Sequence, residues 1–551
     1  MSTSKSHSSA RNRVLRPMSE GLETREMLSA TVSGMDSKGD HWTLNLIGPG
    51  SLLVQKPNDA SGNPQSLNSL TDIQSITVAG TNPLQSRLIG TVQPAPGSDG
   101  KVFFQNFTEL GNPDGKLAGG DGLLSIQMPN FWLGYATQQT STSTPGTTPT
   151  INIPDGVSTF QFGGVDTTYN VVGAAPSSAT NDNTAVNLGL PLYGGTRILI
   201  DQSISSSQPS SSTTSTNPIL HGVLFNVQGR LDLFQANQVI GDTSHPSTLF
   251  PGSGGTIVES LASTAPATAG VTGQIGFVRV GGNATNFSAL TNSLISNFYV
   301  GGETNNVNVL GPTGVSVLLF GKGMDTTSVY AHVISKIESN RGAVNSTVIS
   351  DKQIGKVLLG GDVVGTHILS GYNQNLSSVS STNPPSSNPS PISNGSIVAL
   401  VAGNVTNSVF AASTNPFNNT FGTPNDMKLP QGKIQAKVEG AINNATATPD
   451  SPNTAFYAQT VQLVHGPVVP PNVVEQPYTG PQTPQLLPGL NGVPVIEPGN
   501  HFSAKYIRRG YSGVNHHLRI YSPRTGPNAS SVQLGNLAPQ PVPPVFPGKK
   551  K

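Results

Sequence analysis

The side chains in this sequence that could do chemistry are mainly carboxylates, and their spacing decides whether they can act together. Enzymes that cleave polysaccharides need two carboxyl groups roughly 5 to 10 Å apart, with a cation nearby to stabilise charge. Glu303 and Asp362 each directly follow a glycine pair, but three repeat units separate them, which is about 15 Å in a stack of strands. That separation is too wide for a catalytic pair. The carboxylates of the central repeat are Glu303, Asp325, Glu338, Asp351 and Asp362.

Histidines and short motifs give no stronger signal for catalysis. His332 and His367 lie at strand positions, where we expect them to face solvent. His516 and His517 have no third ligand nearby, so they do not indicate a zinc site. Glycine-rich phosphate loops and the Gly-x-Ser-x-Gly motif are absent from the sequence. We therefore expect no catalytic, cofactor-binding or metal-binding residues.

The elements that would position these side chains come from a repeat of about twenty residues. Five units open at equivalent apolar residues, and each continues with alternating apolar positions, such as Val278 and Val280, which are typical of a strand with one buried side. A glycine turn and a second short strand follow. The sequence therefore predicts an all-β fold, a single elongated β-solenoid similar to a parallel β-helix, in which coils stack on one another. The units open at Ile275, Ile295, Val315, Ile334 and Ile354.

Asparagines near equivalent turns are the second regular feature of the repeat. Asn283, Asn305, Asn345 and Asn404 recur there, and we expect their stacked amides to hydrogen-bond from coil to coil. The alternative fold is a set of β-sandwich domains with regular hairpins. The recurrence of the glycine pair in phase with the repeat favours the solenoid.

The composition agrees with a turn-rich, all-β chain. The 551 residues include 62 Gly and 45 Pro, and only 10% are charged. Cysteine is absent, which excludes disulfides and thiolate metal sites. No run of eighteen apolar residues occurs, so we expect no transmembrane segment.

The net charge of +1 conceals two basic ends. Residues 1–16 and 499–551 contain lysines and arginines but no acid, and between Lys505 and Tyr521 the basic residues alternate with tyrosines. Such ends can contact an anionic surface or polymer. A solvated tail is the favoured interpretation, and we expect no nucleic-acid partner.

A short motif near the N-terminus gives the one family resemblance. Leu22 to Ala30 reads Leu-Glu-Thr-Arg-Glu-Met-Leu-Ser-Ala. It resembles the Leu-Glu-Pro-Arg-x-Leu-Leu motif of presumed exported, repeat-rich proteins of planctomycete bacteria, with Thr24 in place of the proline and Met27 in place of the first leucine. The resemblance implies export or surface sorting and implies no enzymatic activity. The alternative interpretation is a short amphipathic helix from Ser19 to Leu28, capped by Ser19.

Composition shifts along the chain predict five regions. Long stretches rich in Ser, Thr, Asn and Pro interrupt the coils and are expected to be inserted loops, and both termini are expected to be flexible. The predicted regions are a basic N-terminus with the sorting-type motif (1–30), an N-terminal β region with outlying coils (31–221), the main solenoid (222–460), a Pro-rich linker (461–498) and a basic C-terminal tail (499–551).

Two functions are consistent with these features. The first is an exported cell-surface or extracellular protein with a structural, adhesive or matrix role, with polysaccharide or cell-envelope components as partners. The alternative is a carbohydrate-active protein that binds or cleaves polysaccharide, with an acidic site assembled from inserted loops. A third hypothesis, compatible with the first, has residues 499–551 anchoring the protein to an anionic polymer. The candidate loop acids are Asp155, Asp166, Asp182 and Asp232.

Overall fold

The computed structural model describes twelve stretches of the chain, and all of their regular elements are β-strands. The all-β prediction is therefore confirmed for these residues. None of them forms a helix long and apolar enough to cross a membrane. The described stretches are 29–111, 122–134, 149–166, 184–192, 194–200, 219–221, 223–240, 256–261, 273–372, 395–415, 427–443 and 456–469.

The strands are numbered in chain order. The first half contains β1 (Ser29–Met35), β2 (His41–Ile47), β3 (Ser51–Gln55), β4 (Ile73–Ala79), β5 (Arg87–Gln93), β6 (Val102–Leu110), β7 (Leu123–Gly134), β8 (Thr150–Ile153), β9 (Val157–Asp166), β10 (Ala185–Leu188), β11 (Thr196–Ile200), β12 (Ile219–His221), β13 (Leu224–Gln228), β14 (Arg230–Ala236), β15 (Gln238–Ile240), β16 (Thr256–Leu261), β17 (Gln274–Val280) and β18 (Ala284–Thr291).

The second half contains β19 (Leu294–Val300), β20 (Thr304–Gly311), β21 (Gly314–Phe320), β22 (Met324–Asp325), β23 (Thr327–Ser339), β24 (Ala343–Val344), β25 (Thr347–Leu359), β26 (Val363–Val364), β27 (His367–Ser370), β28 (Ser396–Val401), β29 (Val405–Thr406), β30 (Val409–Ala412), β31 (Thr414–Asn415), β32 (Met427–Lys428), β33 (Lys433–Val438), β34 (Ile442–Asn443), β35 (Phe456–Tyr457), β36 (Thr460–His465) and β37 (Val468–Val469).

Strand pairing changes character near the N-terminal end of the described chain. There, β1 pairs with β2, β2 with β5 and β3 with β4, all antiparallel. From the pairing of β4 with β6 onward the strands pair in parallel, apart from the small ribbon of β31 and β32. The antiparallel strands lie against the first parallel ones, so they shield one edge of the sheet from further pairing.

Three parallel ladders run through the described residues between 230 and 469. The first ladder joins β14, β17, β19, β21, the end of β23, the end of β25, β28, β33 and β36. The second joins β16, β18, β20, the start of β23, the start of β25, β27, β30 and β35. The third is short and joins β22, β24, β26, β29, β34 and β37. The predicted repeat starts, from Ile275 to Ile354, are direct partners in the first ladder.

The core lies on the inner side of these ladders. Val278 and its partners Phe298 and Leu318 are completely buried, because alternate side chains of each strand point inward. The rings of Phe287, Phe298 and Phe320 follow one another with centroids 6.2 and 6.0 Å apart. Phe287 belongs to the second ladder and Phe298 and Phe320 to the first, so the inner sides of the two ladders pack against each other, and the core extends from one strand to the next.

The Pro-rich linker is predicted to begin at residue 461, but strands continue in the structure as far as residue 469. Residues 460–465 form β36 and residues 468–469 form β37. Val461 and Leu463 alternate and pack against the core, and Val461 pairs with Ile434 of β33. The first residues of the predicted Pro-rich linker, 461–498, thus extend the first and third ladders, because two alternating apolar residues suffice to continue a ladder.

The predicted amide contacts occur in a different form. Asn283 and Asn404 do bond to the next repeat of the ladder, but their Oδ1 atoms accept backbone N–H groups, from Glu303 at 2.9 Å and Ala441 at 2.8 Å. A bond between amides joins Asn306 Nδ2 to Asn286 Oδ1 at 2.8 Å. Both residues have positive φ, 54° and 47°, at the bend before the buried part of the strand. Asparagine tolerates this conformation, which explains its place at the bend.

Candidate functional site

The five carboxylates of the central repeat lie outside the core, and most have a specific partner. Glu338 forms an ion pair with Lys336 on the same strand. Asp351 lies 2.5 Å from Nδ1 of His332 on the neighbouring strand. The Oδ1 atom of Asp362 accepts the backbone N–H of Asn404 at 2.6 Å. These three carboxylates therefore have local structural roles.

The remaining two carboxylates, Glu303 and Asp325, meet at one edge of the third ladder. Glu303 directly precedes Thr304, the first residue of β20, and Asp325 ends β22. The Thr304 hydroxyl accepts the backbone N–H of Asp325 at 2.8 Å and lies 3.2 Å from the Gly323 carbonyl. This hydroxyl fastens β22 to β20, so it holds the two carboxylates on adjacent turns of the chain.

Two cations complete this edge, and we call the four residues Glu303, Lys322, Asp325 and Arg341 the charged corner. Lys322 lies two residues before Met324 and Arg341 two residues before Ala343, and Met324 pairs with Ala343 in the ladder. The two cations thus occupy equivalent positions on neighbouring turns. Nζ of Lys322 lies 3.6 Å from Oε1 of Glu303, and both side chains are about half exposed, 47% and 57%.

Asp325 has the distinctive electrostatic environment of the charged corner. Its pKa is raised from the ordinary value of 3.8 to about 6, chiefly by burial and then by the negative charge of Glu303, against a smaller opposing effect of Arg341. A Cβ atom at Gly323 would lie 3.6 Å from Oδ2 of Asp325 and 3.8 Å from Cβ of Arg341, so the Asp325 carboxylate and the start of the Arg341 side chain both lie beside this glycine.

This arrangement can exchange a proton near neutral pH and bind an anion. When two carboxyl groups lie close together and one has a pKa near 6, that group can keep its proton while the other is ionised. Arg341 is exposed and forms no ion pair with the described residues. Its guanidinium is therefore open to a ligand carboxylate.

The sequence prediction missed this pair because it compared carboxylates only at equal positions of the repeat. Glu303 and Asp362 are equivalent but distant, whereas Asp325 lies two positions beyond Gly323, the equivalent of Glu303 in the next unit. Glu303 and Asp325 are separated by one repeat plus two residues. A comparison that allowed this offset would have found the pair, because neighbouring turns lie only about 4.8 Å apart.

The four predicted loop acids do not form a described cluster. Asp155 lies in a turn after β8, with its carboxylate near Gly111. Asp166 ends β9, and its side chain is not described. Asp182 lies outside the described residues. Asp232 is on β14, not in a loop, and forms an ion pair with Arg230. Within the described stretches, no group of three or more His, Cys, Asp or Glu residues could hold a metal ion.

The two central histidines differ from each other in exposure. The His332 side chain is 45% exposed, in agreement with the prediction that it faces solvent. His367 is half-buried on the outer side of the second ladder, where burial lowers its pKa from 6.5 to about 4. His367 therefore faces solvent only in part, because neighbouring apolar residues of this ladder, including Ile349 and Leu369, are buried there.

Several predicted features lie outside the described residues. They are residues 1–28, which hold most of the sorting-type motif and the alternative helix, the rest of the predicted linker from residue 470, and the basic tail 499–551 with His516 and His517. Comparison with protein-family models, curated proteins and solved structures finds no match to this chain.

Proposed function

We propose that this chain is an exported, surface-associated β-solenoid with a structural or adhesive role. The observation that supports it is the parallel pairing of each strand with a strand about twenty residues further along the chain, from Ile275 to Ile354, which continues at wider spacing to Val461. A β-sandwich is built largely from antiparallel hairpins, whereas antiparallel pairs here are confined to the N-terminal strands and one small ribbon.

A structural role fits the way these ladders are stabilised. Strands of a stack contact only their neighbours, so the fold can extend without a larger core and can present long, regular outer faces. The described carboxylates of the central repeat are mostly used in local contacts, as for Glu338 with Lys336. Export is supported by the resemblance of residues 22–30 to the sorting-type motif.

Surface accessibility is the direct test of this proposal. Intact cells of the source organism are treated with a protease, and the chain is followed with an antibody against residues 273–372. We expect cleavage in intact cells, while a cytoplasmic control protein stays whole until lysis. Protection of both proteins in intact cells would reject the surface role.

A second candidate function is polysaccharide cleavage at the charged corner. The observation that favours it is the Asp325 carboxyl, with its raised pKa, beside Glu303. Asp325 would donate a proton to the leaving oxygen and Glu303 would act as the second carboxylate. The test measures new reducing ends from neutral and acidic polysaccharides.

Asp325→Asn should abolish this activity, and Asp351→Asn is the matched control, since Asp351 is bound to His332 instead. Equal activity in both variants would exclude Asp325 as the acid. No product from any polymer would exclude cleavage altogether and leave the structural role.

A further inference from the structure

We propose that the charged corner binds a carboxylated polysaccharide, with Arg341 and Lys322 contacting carboxylates of the polymer. This inference rests on the proposed surface role and names the ligand chemistry that adhesion would use. It concerns binding alone, so it does not require that the polymer is cleaved.

Arg341 is the main reason for this choice of ligand. A guanidinium offers a planar pair of N–H donors that matches a carboxylate, and such paired bonds are stronger than a single neutral hydrogen bond. Arg341 is exposed, and it forms no ion pair with an acid of the described residues. The donors of Arg341 are thus not committed to the fold.

Lys322 provides a second cation one turn away. Its partner Glu303 is 3.6 Å distant and both side chains are about half exposed, and a surface ion pair of this kind is weak. A ligand carboxylate can therefore replace Glu303 at Lys322. Neighbouring turns are about 4.8 Å apart, so the two cations can contact one chain of a polymer.

The two acids of the charged corner decide which polyanion fits. Glu303 and Asp325 would repel a nucleic acid, whose charge is dense and continuous. A polyuronate carries one carboxylate on each sugar and several hydroxyl groups between them. Those hydroxyls can donate hydrogen bonds to Glu303 and Asp325, while the carboxylates contact Arg341 and Lys322.

Protonation of Asp325 should tune this binding. The charged groups facing Asp325 are Glu303 from the segment before β20, Arg341 from the segment before β24, and Lys322 on its own segment. With both acids ionised, the four charges cancel. Below pH 6 Asp325 gains a proton, so the charged corner becomes positive and should bind a polyanion about three- to fivefold more tightly.

The experiment uses the full chain and oligogalacturonate, with binding measured by titration calorimetry at low ionic strength. Arg341→Ala should weaken binding about tenfold, the loss expected for a hydrogen-bonded charge pair. Lys356→Ala is the matched control, because Lys356 is exposed on the first ladder and lies away from the charged corner. Circular dichroism establishes that each variant is folded.

Asp325→Asn provides the second, independent arm. It should remove the difference in affinity between pH 5 and pH 7.5, because asparagine carries no charge at either pH. Absence of oligogalacturonate binding at both pH values, equal losses in Arg341→Ala and Lys356→Ala, or equally tight binding of neutral dextran would each overturn the proposal. Cleavage by protease on intact cells, together with no binding of oligogalacturonate, would reject this ligand and leave the proposed surface role unaffected.

Discussion

Replacing Asp325 by asparagine should stabilise the protein at neutral pH. The native state raises the pKa of this carboxyl from 3.8 to about 6, chiefly through burial. Between these two values the native state holds a proton that the unfolded chain has lost, so stability falls as the pH rises through this window. Above pH 6 Asp325 is ionised in the native state as well, so the native state carries the full free-energy cost of a buried charge. Asparagine has nearly the same shape and no charge, so it avoids that cost.

The magnitude follows from the size of the pKa shift. At about 1.36 kcal/mol for each unit, the shift of Asp325 corresponds to about 3 kcal/mol. Asp325 is only partly buried, and solvent screens part of the penalty. We therefore expect Asp325→Asn to raise the free energy of unfolding by about 1 to 2 kcal/mol at pH 7.5 and to leave it unchanged at pH 3.5.

Urea denaturation at pH 3.5, 5, 6 and 7.5, followed by circular dichroism and by the fluorescence of Trp42 and Trp132, measures this effect. Asp99→Asn is the control, since this carboxylate is 43% exposed and forms an ion pair with Lys38. A loss of stability in Asp325→Asn at pH 7.5 would refute the reasoning, because it would mean that Arg341 stabilises the ionised carboxylate by more than burial penalises it. A gain of equal size at every pH would refute it as well, since a charge effect must vanish when the carboxyl is protonated.

Three further predictions concern the core and two buried titratable groups. Phe298→Ala should cost about 3 to 5 kcal/mol in urea denaturation, because this completely buried ring lies between Phe287 and Phe320 in the core; a loss below 1 kcal/mol would show that the stack collapses around the gap. Burial lowers the pKa of Lys56 to about 8, so thermal stability should rise between pH 8 and 10.5, where only the unfolded chain keeps the proton, and Lys56→Met should lack this rise. The pKa of His367 is lowered to about 4. Between pH 6.5 and 4 only the unfolded chain takes up the proton, so the free energy of unfolding should fall as the pH falls through this range. His367→Gln should show a smaller decrease in its urea midpoint over that range than the unaltered chain, and an equal decrease would contradict the assignment.

The repeat itself could be predicted from the sequence because it depends on local features. Alternation of apolar residues determines which side of each strand is buried, and the steps between Ile275, Ile295 and Val315 determine which strands become neighbours. The all-β class follows from these patterns together with the abundance of glycine and proline. The same alternation at Val461 and Leu463 was present in the sequence, but the proline residues that follow obscured it.

The charged corner could not be predicted in the same way, because it depends on contacts between turns of the chain. Whether the charge of Asp325 lies near that of Glu303 is decided by where β22 ends and by the Thr304 hydroxyl that joins it to β20. Likewise, the amide bond from Asn306 to Asn286 requires a positive φ at both residues. Periodicity in a sequence determines which residues share a face, because that depends on each strand alone. The bends between strands determine which side chains on neighbouring turns meet, and with them the pKa of Asp325, because burial and charge are properties of the assembled fold.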